Sequence, residues 1–429
     1  MNSNASDQLH MSEVGSTPAF EPNQSYETAA VPRVSIAAFC ETEAAYETLI
    51  KASSDRRMSK AHTSVNQGSL SECVALYENA PTPNLLIIET TLDGQALLRE
   101  LDTLADVCDP GTRVMVIGQI NDVELYRALM ARGISEYLLG PIGIHQLIAT
   151  ISGFYAEPGA EPLGKTIAVI GAKGGCGAST IAHNLSWVIS KRLETDVALA
   201  DCDLPFGTAG LDFNQDPLQG MWEAVSAPER LDQTFLDRLL SKCNERLSFL
   251  AAPASLDKPY DFSEEHFDQL VETMRSSTPT VVLDLPHTWN AWVRHLLETV
   301  DIVIVVAEPD LANLRNAKNL VDALVQLRPN DIRPYLVLNK VTIPKRPEIK
   351  PDEFSKALDV QNLASIPFDP GLFGTASNNG QMIGEFDQKH AVGGLFEDMA
   401  RVVTGRGEVG RKKQSALSSI FSKLKKSKA

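Results

Sequence analysis

The chain has 429 residues, 43% of them hydrophobic, and a formal net charge of −16 at pH 7. That length exceeds one typical domain and predicts two folded domains with tails, while the acidic balance argues against a general nucleic-acid coat. The charge is uneven, because residues 405–429 hold eight Lys or Arg and one Glu. Six cysteines, Cys40, Cys73, Cys108, Cys176, Cys202 and Cys243, are widely spaced and form no C-x-x-C pair. Neither a zinc site nor a disulfide framework is suggested. With no basic-then-apolar leader and no apolar run near 18 residues, a cytosolic protein with reduced thiols is expected.

Residues 1–32 are rich in Ser, Asn, Glu and Pro without a sustained apolar period, and predict a disordered leader. From 33 to 155, short apolar runs at 34–39, 85–88, 114–117 and 136–139 alternate with helical spacing at 44–52 and 123–132. Alternation of this kind implies a parallel sheet covered on both faces. With Y-L-L-G-P near its end, the segment resembles a response-regulator receiver domain, a flavodoxin-like fold. The chemistry that the resemblance implies is missing. Glu89 stands where a phosphoacceptor Asp would end the third strand, Cys40 and Glu41 replace the acidic pair, Gly118 replaces Ser or Thr, and Gly140 replaces the Lys before Pro141. The expectation is a pseudo-receiver that docks or dimerises and accepts no phosphate.

Residues 156–164, AEPGAEPLG, predict a linker, and 165–404 a second α/β domain. An apolar run at 166–170 leads into V-I-G-A-K-G-G-C-G-A-S-T (169–180) and a helical run at 181–189. Strand, glycine loop and helix in this order make a phosphate cradle. The glycines permit positive φ and close approach to backbone N–H groups. A bare glycine turn is the alternative that this stretch alone leaves open. Against the G-x-x-x-x-G-K-[ST] pattern, Ala172 replaces the first glycine and Ala178 the lysine, while Ser179 keeps the magnesium hydroxyl and Thr180 follows it. Lys173 precedes the glycine pair. This deviant Walker A signature resembles the MinD/ParA family of dimerising ATPases. The resemblance implies binding of ATP and Mg²⁺ by Lys173, Gly174, Gly175, Cys176, Gly177, Ala178, Ser179 and Thr180, with Lys173 reaching a partner subunit's nucleotide.

A buried strand predicted at 197–200 ends in D-C-D-L-P-F-G, which sets Asp201 and Asp203 on one side of a strand end. They are read either as a metal and catalytic pair or as turn caps. By resemblance this is the first switch, with Asp203 orienting the attacking water. Helices are expected at 220–227 and 231–244 and a strand at 247–250. The strand at 280–283 stops at Asp284, the position of a carboxylate that holds magnesium through its water shell. Residues 286–294, with His287 and Trp289, then read as a second switch or an interface surface. A strand at 301–307, a helix at 311–327 and a strand at 335–338 follow. Asn339 at that strand end has the donor and acceptor to pair with adenine, the use that the family makes of such an asparagine. Pro367 and Asp369, in S-I-P-F-D, match the family segment that walls the base. A last helix is expected at 388–403.

In the tail, 405–429, Leu417, Ile420, Phe421 and Leu424 share one helical face among Lys423, Lys425, Lys426 and Lys428. This basic amphipathic stretch suits a membrane interface, a partner protein, DNA or plain solvent. The whole arrangement resembles the TadZ/CpaE branch of the MinD/ParA family. That resemblance implies a homodimerising, nucleotide-dependent marker, cytoplasmic and peripheral to the inner membrane at a cell pole, that recruits Flp/Tad pilus-assembly proteins. With Ala178 in place of the lysine, hydrolysis is expected to be slow or absent. A DNA-binding partition ATPase and a scaffold without nucleotide are the alternatives.

Overall fold

The computed structural model describes residues 29–156, 163–253, 255–257 and 260–406. Residues 1–28 of the predicted leader, most of the linker and residues 407–429 of the tail lie outside the described residues. Val31, assigned to the leader, is fully buried, and its N–H donates to Arg57 O at 2.8 Å. The first domain therefore includes residues before 33, because the Val31 side chain is part of its core.

The first sheet contains β1 (Ser35–Cys40), β2 (His62–Gln67), β3 (Leu85–Glu89), β4 (Arg113–Gly118) and β5 (Glu136–Leu139). Its order is β2-β1-β3-β4-β5, and all neighbours run parallel. Helices α1 (Glu43–Ser53), α2 (Leu70–Tyr77), α3 (Gly94–Val107), α4 (Val123–Ala131) and α5 (Ile144–Tyr155) connect the strands. Every residue of β3 is buried, as a central parallel strand requires. By contrast β2 is an edge strand, HTSVNQ, with alternating exposed and half-buried positions and no apolar run to announce it.

The second sheet has the order β13-β12-β11-β6-β10-β7-β9-β8. Its strands are β6 (Lys165–Gly171), β7 (Val197–Asp201), β8 (Ser241–Lys242), β9 (Leu247–Leu250), β10 (Thr280–Leu285), β11 (Ile302–Ala307), β12 (Tyr335–Val341) and β13 (Asn362–Pro367). All pairs are parallel except β8 with β9. Ile167 and Val169 of β6 enter one core, Ala168 and Ile170 the other, so the strand is buried on both faces. The helices are α6 (Ala178–Arg192), α7 (Ala209–Asp212), α8 (Met221–Ser226), α9 (Gln233–Leu239), α10 (Glu265–Ser277), α11 (Ala291–Thr299), α12 (Leu311–Leu327), α13 (Pro351–Leu358), α14 (Pro370–Asn378), α15 (Ile383–Phe386) and α16 (Ala391–Val403).

Two expected helices are shorter than their apolar spacing suggested. The stretch 231–244 is helical only over Gln233–Leu239, because Asp232 caps its start and Ser241–Lys242 turns back to pair with β9. The last helix begins at Ala391, where the His390 side chain accepts from Val392 N. Behind it, Arg406 Nη1 donates to Leu193 O at 2.6 Å and pins the end of the described chain to the C-terminus of α6.

The two sheets meet through a buried polar cluster. Arg56 Nε donates to Asp331 Oδ2 at 2.8 Å, Arg57 pairs with Asp331 Oδ1, and Asn330 Nδ2 donates to Asp55 Oδ2 at 3.1 Å. Asp331 also holds Arg328, and Arg56 reaches the Thr299 carbonyl at the end of α11. The first domain thus sits at the edge where β11 and β12 begin, away from the strand ends that carry the glycine loop.

Candidate functional site

Strand β6 delivers residues 172–177 to the C-terminal edge of the sheet between β10 and β11. Ala172 N donates to Val306 O at 2.8 Å, and the buried Cys176 thiol reaches the same carbonyl at 3.3 Å. Burial pushes that thiol up from its ordinary value, so Cys176 anchors the loop and is no nucleophile. Gly175 and Gly177 have φ of +81° and +93°, the left-handed region that favours glycine. Unlike α11, α12 and α14, which Asn290, Asp310 and Asp369 cap, α6 starts at Gly177 with no side-chain cap. The positive end of this 15-residue helix, without a side-chain acceptor, suits an anion.

The loop is held from several sides. His287 Nδ1 lies 2.8 Å from Gly171 O, and Asn316 Nδ2 donates to Ala172 O at 3.1 Å. Lys340 Nζ donates to Gly175 O at 2.6 Å and pairs with Glu308 at 2.9 Å, and Glu308 also holds Arg346. Asn339, expected to read adenine, donates from Nδ2 to Cys176 O at 2.9 Å, while its Oδ1 accepts from Lys340 N. In this structure its amide braces the loop. The loop, Asn339 and Lys340 come together because β12 ends one strand beyond β11.

Three carboxylates gather beside the loop. Asp201 accepts from Asp203 N at 3.3 Å and Ala209 N at 3.0 Å. Burial first, and the charge of Asp284 second, raise its pKa. Gly207 lies against that carboxylate so closely that a Cβ there would collide with both oxygens. Half-buried Asp203 is also pushed up, by burial and by Asp284. Asp284 is 1% exposed, and neither of its oxygens has a hydrogen bond. The nearest cation is His183, fully buried, with Nε2 3.4 Å from Asp284 Oδ2 and Nδ1 2.7 Å from Asp212 Oδ2. Burial alone would push His183 down, but the carboxylates on either side raise it to about 10.

Magnesium suits this donor set. Among the described residues no group of three or more His, Cys, Asp or Glu forms a protein-only cage, and magnesium keeps most of its waters and binds through one or two carboxylates plus phosphate. The orphaned oxygens of Asp284 are the polar atoms that a hydrated cation would satisfy. Ser179 and Thr180 are half-buried at the start of α6, and Ala178, at the lysine position, begins that helix.

Lys173 and Gly174 are exposed on the loop's outer side, and the Lys173 charge helps to hold Asp310 below its usual range. Pro367 ends β13 at the sheet edge, and Asp369 caps α14 through Leu372 N at 2.9 Å. A cleft of about 350 Å³ opens beside the loop between His287, Trp289, Asn316 and Leu320. Trp289 is 52% exposed at this cleft. His183, Lys340 and Glu308 were not singled out by sequence. Only the position of His183 three residues beyond Thr180 was available as a signal, and helical spacing there reads as core.

The receiver-like sheet has closed its own acidic pocket. Glu89 Oε2 accepts from Glu41 N at 2.8 Å and Thr42 N at 2.9 Å, and Oε1 from Thr42 Oγ1 at 3.0 Å. Glu41 in turn accepts from Thr90 Oγ1, Thr91 N and Thr91 Oγ1. The Tyr137 hydroxyl fills the space that a side chain at Gly118 would need and bonds both polar atoms of Ile120. Acetyl phosphate is therefore expected to leave the intact mass unchanged. Glu89→Ala, which strands two half-buried amides, is expected to destabilise the protein by about 1–3 kcal/mol in urea titrations. A stable phospho-adduct would contradict this closed arrangement.

No family model matches the chain. The solved pilus assembly protein CpaE of Caulobacter crescentus is 49% identical, over 30% of this chain and 98% of that one, with a TM-score of 0.30. A ParA family ATPase of Chlorobium tepidum is 24% identical over 55% of this chain and 98% of its own, with a TM-score of 0.51, which shows the fold of the larger sheet. The septum site-determining protein MinD of Synechocystis is 26% identical over 257 residues, 57% of this chain and 91% of that protein. Identity of 49% across 98% of one solved relative shows the kinship: the chain belongs to the CpaE pilus assembly family, and its larger sheet has the fold of the ParA family ATPase.

Proposed function

We propose that this protein is an ATP-binding, dimerising spatial switch that recruits Flp/Tad-type pilus-assembly machinery at a cell pole or the inner membrane. The observation that carries the reading is the pairing of an uncapped α6 with the orphaned, buried Asp284 beside it. One half of that pair suits phosphate and the other its magnesium ion. Lys173, exposed on the loop, would touch the nucleotide of a second copy, and Asp203 would orient the attacking water. Ser179, Asp201 and Asp284 supply the metal side, and Asn339, Pro367 and Asp369 the side of the base.

Hydrolysis is slow or absent in this reading. Ala178 offers no donor to the transferring phosphate, and loss of one preorganised donor costs about 10² to 10³ in rate. Residues 405–429 bring a further contact, since each lysine near an anionic leaflet contributes about 1 kcal/mol. Two tails joined in a dimer raise avidity by about 10² or more. Among the described residues, no helix is long and apolar enough to cross a membrane.

Light scattering after size exclusion tests the switch. Mg-ATP is expected to convert full-length monomer to dimer, and Lys173→Ala to bind nucleotide but remain monomeric. Wild-type protein that binds Mg-ATP without changing mass would remove dimerisation from the proposal. Failure to bind at all would leave only the scaffold.

A further inference from the structure

The nucleotide reading uses the loop and the carboxylates, but leaves unexplained a fully buried imidazole set between one of them, Asp284, and a further acid, Asp212. His183 faces inward from the second turn of α6 and touches two segments distant in sequence. Its Nδ1 is 2.7 Å from Asp212 Oδ2, at the last residue of α7. Its Nε2 is 3.4 Å from Asp284 Oδ2, beyond hydrogen-bond reach of a carboxylate with no other partner. The ring also packs against Phe213, with centroids 5.6 Å apart.

Each end of this bridge leads to an element that a bound nucleotide would engage. Asp284 is the next-to-last residue of β10, where a hydrated cation would sit. Asp212 closes α7 and accepts from Thr208 Oγ1 at 3.3 Å, while Ala209 N, at the start of α7, is held by Asp201. The segment from Asp203 to Phe213 is thus fastened by Asp201 at one end and His183 at the other. It carries two exposed apolar side chains, Phe206 at 71% and Leu211 at 74% exposure, which water penalises in an isolated copy.

From this geometry we infer that His183 is a positioning residue that couples occupancy of the Asp284 site to the conformation of residues 203–213. The inference rests on the nucleotide reading above. Were a cation held at Asp284, the loose 3.4 Å contact would be the one free to change, while the tight 2.7 Å contact would keep the ring attached to α7. A change at one carboxylate would thereby be delivered to a segment that does not itself touch Asp284 through any other bond among the described residues. Both contacts are needed, because a ring fastened at one end only transmits nothing.

Hydrogen exchange on full-length protein, with and without Mg²⁺ and adenylyl imidodiphosphate, tests the coupling. In the wild type, peptides covering 203–214 are expected to exchange at least about fivefold more slowly with the ligand. His183→Asn places an amide near the Nδ1 position and His183→Gln near the Nε2 position, so each preserves one contact and breaks the other. Both variants are expected to bind the ligand within about threefold of wild type by calorimetry, yet to lose protection at 203–214. Asp212→Asn, which leaves His183 in place, should weaken the protection as well and guards against a folding defect in the ring variants. Protection that persists in all three variants overturns the inference. So does wild-type protein that binds without protecting 203–214, although the nucleotide reading then survives. Absence of binding in the wild type defeats both.

Discussion

Replacing Asp331 with alanine is expected to destabilise the protein by about 3–5 kcal/mol and to separate the unfolding of its two halves. Its carboxylate is 4% exposed and accepts from Arg56 Nε and Arg328 Nε, each at 2.8 Å, while also pairing with Arg57. Removing it leaves three guanidinium groups facing Asp55 and Asp301 alone in a dry interface. Burial by itself would raise the Asp331 pKa, but the three arginines hold it far below the usual carboxylate range. A depressed folded value means that this stability is present above the unfolded pKa of about 3.9, and is lost only as pH falls through the lower folded value. Between pH 5 and 8 the interface should therefore be indifferent to pH. Calorimetry is the measurement, with one transition in the wild type and two in Asp331→Ala. A single unshifted transition in the variant would mean that the cluster joins nothing.

At the other end of the molecule, Gly177→Val should lower Mg-ATP affinity by at least about 100-fold, or about 2.8 kcal/mol. Two costs act together. Valine at φ +93° is strained by about 1–2 kcal/mol, and any Cβ at this position collides with Asn339 Nδ2. Driving that amide away strands the Cys176 carbonyl, a further loss of about 1–3 kcal/mol. Gly177→Ala carries a smaller version of the same defect, which permits a cycle with Asn339→Ala. The double variant should bind better than the sum of the two single losses, since the collision disappears with the asparagine. Isothermal titration checks this. Additive losses would show that Gly177 and Asn339 act independently.

Residues buried on both faces of a parallel sheet were the most legible part of the sequence. The VVL run of β10, the LLII run of β3 and the IVIVVA run of β11 are continuous apolar strings because no face of these strands meets water. Their carboxylate or loop ends then follow from where the string stops, which is how Asp284 and Glu89 could be placed. Strand β2 was invisible for the opposite reason, as an edge strand of mixed polarity has no string to read. Contacts at long separation were equally hidden. Asp331 lies 275 residues from Arg56, and Asp212 29 residues from His183, so no local spacing announces either pair. Asn339, expected just past a strand that stops at 338, lies inside β12, which runs on to Val341; its partner is a backbone carbonyl, and backbone atoms leave no mark in a sequence.

The bond between Arg406 and Leu193 has a mechanical consequence. Helix α6 has 15 residues, a rod about 22 Å long, with the phosphate loop at its head and this bond at its foot. Whatever pulls on the chain beyond Arg406 pulls on that rod along its length, and the load arrives at Gly177. A tethered molecule would feel its anchor in the very hinge that grips its ligand.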